Sequence, residues 1–314
     1  MSDSARDRLL LLDSASLYFR AFYGVPPRAA VPSGLQTNAV AGFLDMIATL
    51  VGRYRPSHLV ACWDDDWRPQ WRVDAIPTYK AHRVSEDPGE GEEVPDELAP
   101  QVPVIAAALE AVGIARVGAA HYEADDVIGT YAMRYRGVMP VDVVTGDRDL
   151  FQLVDDASDT RVLYTARGGV RDPDVITQSF LEEKYGVSTG DAYVDMAALR
   201  GDTSDGLPGV KGIGEKTAAT LIRDFGSLAG VREALAAGDP AIKGARRTRL
   251  EEASAYLDVA PLVVRVAHDV PVGDGDIRLP SDIADPAAMS RLAVEHGLTS
   301  PFDRIATALH SALP

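Results

Sequence analysis

Short apolar runs that end in acidic residues alternate along this chain with stretches whose apolar positions recur at three and four. Leu9-Leu10-Leu11-Leu12 runs into Asp13, and His58-Leu59-Val60-Ala61-Cys62-Trp63 runs into Asp64. Val141-Asp142-Val143-Val144-Thr145-Gly146 is followed by Asp147 and Asp149. These runs predict strands at 8–13, 58–64 and 141–145, with further strands at 114–117 and 160–165. Between them, Val40, Phe43, Leu44, Ile47 and Leu50 have helical spacing and predict a helix over 36–54. Helices are also expected from Ser14 to about Tyr23, over 96–112, from Glu123 to Arg136, and as a short piece over 147–154. From about 173 the pattern reads as all helical. Residues 65–83 read as irregular and rich in Trp, Arg and Pro. Residues 84–95 carry Glu, Gly and Pro with almost no apolar groups, which predicts mobility. No internal repeat is visible. Strands alternating with helices define an α/β fold with a mainly parallel sheet flanked by helices, followed by a C-terminal helical region.

Composition narrows the class. The 314 residues suit one large α/β domain, or a main domain with a smaller one. An apolar fraction of 46% is enough for a sizeable core. Cys62 is the single cysteine, which excludes an internal disulfide framework and a cysteine-based zinc site. It lies in an expected strand, so a buried inert thiol is the ordinary reading. No segment reaches the length of about 18 apolar residues that a membrane span needs. The start, Met1 to Arg8, has no signal-peptide pattern. A cytoplasmic protein without a membrane partner is expected.

The net charge of −16 argues at first against nucleic acid as a partner. Local fields matter more, because screening confines them to about 8 Å. Much of the acid falls in one segment, Glu86 to Glu97, and in a set of strand-end carboxylates. Basic clusters also exist: Lys80, His82 and Arg83; Lys211 and Lys216; Lys243, Arg246, Arg247 and Arg249.

The candidate chemistry lies in nine carboxylates: Asp13, Asp64, Glu123, Asp125, Asp126, Asp147, Asp149, Asp202 and Asp205. Open parallel sheets bind ligands outside the carboxyl ends of their strands, so acidic strand ends converge on one place. Massed carboxylates raise each other's pKa. A hard divalent cation relieves that cost, and all-oxygen ligands suit magnesium or manganese. Taken singly, each motif has a plain explanation. His121-Tyr122-Glu123-Ala124-Asp125-Asp126 and Gly146-Asp147-Arg148-Asp149 could be ordinary acidic helix starts. Gly201-Asp202-Thr203-Ser204-Asp205-Gly206 could be a turn. All three in one chain, at strand ends and helix starts, exceed what capping explains.

A second motif is Gly206-Leu207-Pro208-Gly209-Val210-Lys211-Gly212-Ile213-Gly214, which opens a helix at Glu215-Lys216-Thr217-Ala218. A glycine-rich loop of backbone N–H groups at a helix start is a ready phosphate site, and few side chains let a nucleic-acid backbone approach.

Together these pieces resemble the 5′ nuclease superfamily, which includes the bacterial 5′–3′ exonuclease domain of DNA polymerase I, its stand-alone relatives and flap endonucleases. The matching stretches are Leu12-Asp13 with Tyr18-Phe19-Arg20-Ala21-Phe22, Trp63-Asp64, Tyr79-Lys80-Ala81-His82-Arg83, Glu123-Ala124-Asp125-Asp126, Thr145-Gly146-Asp147-Arg148-Asp149, and Gly201-Asp202-Thr203-Ser204-Asp205 through Lys216-Thr217-Ala218. The likeness runs from Leu9 to about Asp303. It implies a PIN-like nuclease core over 1–185, with a flexible arch at about 70–112. It implies a helical DNA-binding region over 186–314, with a helix–three-turn–helix at about 198–225. It further implies two or more Mg2+ or Mn2+ ions. Asp13, Asp64, Glu123 and Asp125 would surround the first, and Asp125, Asp147, Asp149 and Asp205 the second. Asp126 and Asp202 would act through bound water.

By the same resemblance, Lys80, Arg83 and Arg20 face phosphate, and Tyr18 stacks on a terminal base. Lys211, Gly212, Ile213, Gly214, Lys216 and Thr217 hold duplex DNA, with a potassium ion as a further occupant of that loop. The chain departs from the family where Phe-Asp is replaced by Trp63-Asp64-Asp65-Asp66. Asp65 or Asp66 could therefore compete as ligand, and Asp64 is preferred because it directly ends the apolar strand. Gly206 stands where bacterial relatives carry Asn. The implied activity is that of a 5′–3′ exonuclease and flap endonuclease, a monomer acting on DNA with 5′ ends, flaps or branches and admitting RNA-primer hybrids. A branch-binding protein without catalysis is disfavoured, because every acidic position is filled. A PIN-type ribonuclease is disfavoured by the glycine loop and the C-terminal helices.

Overall fold

The computed structural model describes residues 7–27, 33–84 and 94–312. In chain order its principal elements are β1 (Leu9–Asp13), α1 (Ser14–Gly24), α2 (Asn38–Tyr54), β2 (His58–Cys62), α3 (Gln70–Ala75), α4 (Val102–Val112), β3 (Ala115–Val117), α5 (Ala124–Tyr135), β4 (Val141–Thr145), β5 (Thr160–Gly168) and β6 (Asp172–Ile176). They continue as α6 (Gln178–Tyr185), α7 (Gly190–Arg200), α8 (Glu215–Phe225), α9 (Leu228–Ala236), α10 (Ala245–Glu252), α11 (Ser254–Val264), α12 (Pro286–His296) and α13 (Thr299–Ala312).

The sheet order is β3-β2-β1-β4-β5-β6, with the first five strands parallel. Both faces of the central strands are covered, which explains the unbroken apolar runs. Leu9 and Leu11 point with Val60, Val141 and Val143 into a core shared with α5, α7, α8 and α11. Leu10 and Leu12 point the other way, against Val40, Phe43 and Ile47 of α2, Ile105 and Leu109 of α4, and Phe302 of α13. Each fully buried leucine stabilises the fold by about 1.5–3 kcal/mol. Cys62 is fully buried in β2. No described helix is long and apolar enough to cross a membrane.

The chain runs from β1 to β2 and β3 on one side, then returns to place β4 on the other side of β1. That reversal opens a crevice at the carboxyl ends of β1 and β4, the place where such sheets bind ligands.

Three expectations need correction. The region after 173 is not all helical: β6 pairs antiparallel with β5. Its sequence, Asp172-Pro173-Asp174-Val175-Ile176, holds only two aliphatic residues beside a proline, as suits an edge strand, and so carried no strand signal. A long irregular stretch also follows α11, and in it Ile277 accepts from Leu59 N–H at 2.9 Å. The helix expected at 147–154 is a 3-10 turn over Asp149–Leu153. The segment 65–83 contains α3. The mobility expected at 84–95 falls largely on residues 85–93, which lie outside the described residues.

Candidate active site

Asp13 ends β1 and also caps α1, accepting Ser16 N–H at 3.1 Å on one oxygen. Its other oxygen accepts the Thr145 hydroxyl at 2.7 Å. Thr145 in turn accepts Asp147 N–H at 2.8 Å, and Ser16 accepts Gly146 N–H at 2.8 Å. The ends of β1 and β4 are thus stitched across the crevice by two hydroxyls that the sequence reading did not single out. Asp64 accepts Ala124 N–H at 2.8 Å, which sets the start of α5 beside the end of β2. Glu123 caps α5 and Asp125 stands in its first turn.

Asp13, Asp64, Glu123, Asp125 and Asp147 line one cleft of about 450 Å³ with Lys80, His82, Arg83, Phe19 and Trp67. Asp149, Asp202 and Asp205 form a second acidic group, coupled to the first through Asp147. Asp65 is turned away, its carboxyl packed against Gly118. Asp66 accepts Arg68 N–H at 3.2 Å. Of the three consecutive aspartates, Asp64 alone lines the cleft.

Asp126 departs from its expected role. It is fully buried and its two oxygens accept the guanidinium of Arg72 at 2.7 and 2.8 Å. It also accepts Glu123 N–H at 3.2 Å and Ala267 N–H at 2.8 Å. With both oxygens engaged by the protein, Asp126 is an anchor of α5. Arg72 itself was missed. It is buried, donates to Glu123 at 3.1 Å and to the Val263 carbonyl at 3.2 Å, and lies 4.4 Å from the Trp71 ring. No local signal marks it: α3 spans only Gln70–Ala75, and the partners that bury Arg72 lie at Glu123, Asp126 and Val263, far along the chain.

Lys80 pairs with Glu123, whose other oxygen accepts Tyr79 OH at 2.7 Å. Arg83 donates to Asp205 at 2.6 Å. Both cations line the cleft. Arg20 does not: it donates to the Ala166 and Arg167 carbonyls at 3.2 and 3.4 Å, beside the β5–β6 hairpin. Tyr18 packs 5.7 Å from Trp63 and 6.4 Å from Phe43, so its ring belongs to an aromatic cluster, while Phe19 and Trp67 are the aromatic residues that line the cleft.

The glycine loop joins α7 to α8. Lys211, Gly212, Gly214 and Lys216 are exposed, and Thr217 is half-buried. Gly212 has φ +72°, and the Arg249 guanidinium lies where a side chain at that position would point. Ile213 differs from expectation. It is buried and its N–H donates to the Val210 carbonyl at 2.9 Å, so it anchors the loop. Gly214 caps α8 with no side-chain hydrogen bond, so the amides of Glu215 and Lys216 have no capping side chain, while Thr217 N–H donates to the Gly214 carbonyl at 3.0 Å.

Burial dominates the electrostatics. It pushes the Asp13 carboxyl up to about 7, with Asp64 and Asp147 adding to the effect. Burial, then Asp13 and Asp147, holds Asp125 well above the usual range, and Asp149 is raised by burial and then by Asp147, Asp205 and Asp202. Burial also raises Asp64, and it raises Asp205 despite Lys80 and Arg83. At Asp202 burial is outweighed by the hydrogen bonds from Ser204, with help from Arg200, and the carboxyl is lowered. Among the described residues no three acidic, His or Cys side chains stand close enough together to form a finished metal cage. The donor set nevertheless fits hard divalent cations: all oxygen, gathered at the end of one sheet, and mutually repelling.

This predicts an inverted pH dependence for the metal-free protein. In the fold Asp13 keeps its proton to about pH 7, against an ordinary 3.8. Between those values the folded state holds a proton that the unfolded chain releases, so the stability gained is full below the lower value and lost as pH rises through the upper. The melting temperature in EDTA should therefore fall between about pH 5 and about pH 8, and Asp13→Asn should flatten the fall. A wild-type profile that rises over this window would refute the assignment.

Comparison with known proteins gives the family. The family model described as 5′–3′ exonuclease, N-terminal resolvase-like domain, matches residues 8–186, and that for the 5′–3′ exonuclease C-terminal SAM fold matches 188–281. The chain belongs to the 5′–3′ exonuclease family. A 5′–3′ exonuclease of Streptomyces coelicolor is 57% identical over 303 residues, covering 96% of this chain and 99% of its own. Among solved structures, T5 5′-exonuclease with zinc ions bound has a TM-score of 0.64 at 17% identity, covering 98% of this chain and 100% of that one. The catalytic core of Rad2 in complex with a DNA substrate has a TM-score of 0.58 at 18% identity, covering 98% and 94%. These structural likenesses are ones of fold. The family and α/β fold expected from the motifs are both borne out.

Proposed function

We propose that this chain is a divalent-metal-dependent 5′–3′ exonuclease and 5′-flap endonuclease that hydrolyses DNA phosphodiesters. The observation that carries the reading is the cleft at the β1–β4 crevice, where five carboxylates face Lys80 and Arg83. The DNA partner follows from this chemistry, from the family, and from the DNA complex of the Rad2 core.

Asp13, Asp64 and Asp125 would hold one Mg2+ or Mn2+ ion, with Glu123, whose two oxygens accept from Arg72, Tyr79 and Lys80, contributing through bound water. Asp147, Asp149 and Asp205 would hold another, with Asp202 acting through water. Bound there, such ions supply charge neutralisation and an activated water. The chain does the rest. Asp13 and Asp147 are held in register by Thr145. Lys80 and Arg83 place positive charge at the cleft to meet the scissile phosphate, with the guanidinium suited to a two-pronged contact. The open amides of Gly212 and Gly214, with Lys211, Lys216 and Thr217, receive duplex phosphates without reading base edges. A potassium ion held by loop carbonyls would be a further occupant of this loop. The product carries a 5′-phosphate.

The test is a 5′-labelled flap duplex incubated with Mn2+, with Mg2+ and with EDTA. The expected products are single nucleotides and an excised flap, both dependent on metal. Tight duplex binding without cleavage at saturating Mn2+ would replace this reading with a branch-binding one.

A further inference from the structure

A junction between two distant segments offers a positioning role that the site chemistry does not itself require. The turn at 77–83, which carries Lys80 and Arg83, lies alongside the start of the glycine-rich loop. The Thr78 hydroxyl donates to the Gly206 carbonyl at 2.7 Å, and Lys80 N–H donates to the Asp205 carbonyl at 3.0 Å. Arg83 donates to the Ser204 carbonyl at 2.9 Å as well as to the Asp205 carboxylate. The three contacts run in order, 78 to 206, 80 to 205 and 83 to 204.

The contact is close. Gly206 has φ +70°, and a Cβ there would stand 2.0 Å from the Thr78 carbonyl oxygen. Lys80 is also held in a left-handed conformation, φ +47°, unusual for a residue with a side chain. Such a conformation persists where its surroundings over-determine it. On the loop side the segment is rigid: Asp202 and Leu207 exchange both backbone hydrogen bonds, at 3.0 and 2.7 Å. Leu207, Val210 and Ile213 then anchor the rest of the loop to the core. One short segment therefore carries Asp202, Asp205 and the grip on Lys80 at one end, and the open amides of Gly212 and Gly214 at the other.

We infer that Thr78 and Gly206 are positioning residues, which lock the Lys80–Arg83 turn to the duplex-binding loop and so fix the distance between held duplex and cleaved phosphate. This rests on the reading of Lys80 and Arg83 as phosphate-facing. Its consequences are specific. Loosening the junction should leave duplex binding intact, because the open amides are untouched. It should slow the chemical step and blur the cleavage position.

The experiment uses Thr78→Val, Thr78→Ser, Gly206→Ala and, in parallel, Lys80→Ala. Each is assayed for duplex Kd, single-turnover cleavage rate and product lengths on one 5′-flap substrate. Thr78→Val should cut the rate roughly tenfold and Gly206→Ala roughly a hundredfold, as expected for small misplacements of reacting groups. Both should keep duplex Kd within about twofold and spread the products over neighbouring positions. Thr78→Ser, which retains the donor, should match wild type in all three readouts. A wild-type rate and product pattern for either Thr78→Val or Gly206→Ala, while Lys80→Ala is slow, overturns the junction and leaves the site reading intact. So does a rate loss matched by an equal loss of affinity. A wild-type rate for Lys80→Ala overturns the site reading itself, and the junction with it.

Discussion

Asp125→Asn is expected to lower single-turnover flap cleavage by about a thousandfold or more, the scale set by removing a charge that acts on the transition state. The same change should leave the metal-free fold as stable as wild type, or more so. Asp125 stands in the first turn of α5, half-buried between Asp13 and Asp147. Burial is the largest influence on its carboxyl, and Asp13 and Asp147 follow. Asparagine keeps the shape, removes the charge and ends the repulsion. Loss of cleavage with no loss of melting temperature in EDTA is therefore the signature of a metal ligand. A structural residue would lose both. Cleavage at the wild-type rate in saturating Mn2+ would remove Asp125 from the site.

Arg72→Met is expected to destabilise the fold by about 3–5 kcal/mol, the cost of leaving a buried ion without its partner. Here two acids lose that partner. Asp126 is fully buried and Glu123 nearly so, and both face the guanidinium. Methionine roughly fills the space but cannot donate. Urea unfolding with metal absent should show the loss as a lower midpoint. Asp126→Asn added to Arg72→Met should recover part of it, because one uncompensated charge is gone. A loss below about 1 kcal/mol would place this pair with ordinary surface ion pairs and would end the case for Asp126 as an anchor.

What could be read in advance depended on whether a residue's surroundings are local. β1, β2 and β4 were legible because strands covered on both faces are apolar throughout. Asp13 and Asp64 were legible because they directly end such strands. β6 was not, since an edge strand needs few apolar groups and its partner β5 lies across a hairpin. Asp126 read like its neighbour Asp125, because both are acids at a helix start. What separates them is Arg72, more than fifty residues earlier in the chain, and Ala267, far later. Ile213 was misjudged for a related reason. A loop of glycines suggests open amides throughout, yet one apolar residue in it turned inward and closed its own N–H. The role of Thr78 was invisible, because a threonine in a turn has no pattern until its partner loop is placed beside it.

The reach of Arg72 has a consequence for the order in which the enzyme comes into being. All the acids are made by residue 205, but the Val263 carbonyl and the Ala267 amide that pin Arg72 and Asp126 are not. A chain emerging from the ribosome amino end first thus displays its acidic residues well before it owns the strap that orients α5. The acidic cleft is a late product of synthesis, completed only after the glycine-rich loop has already been made.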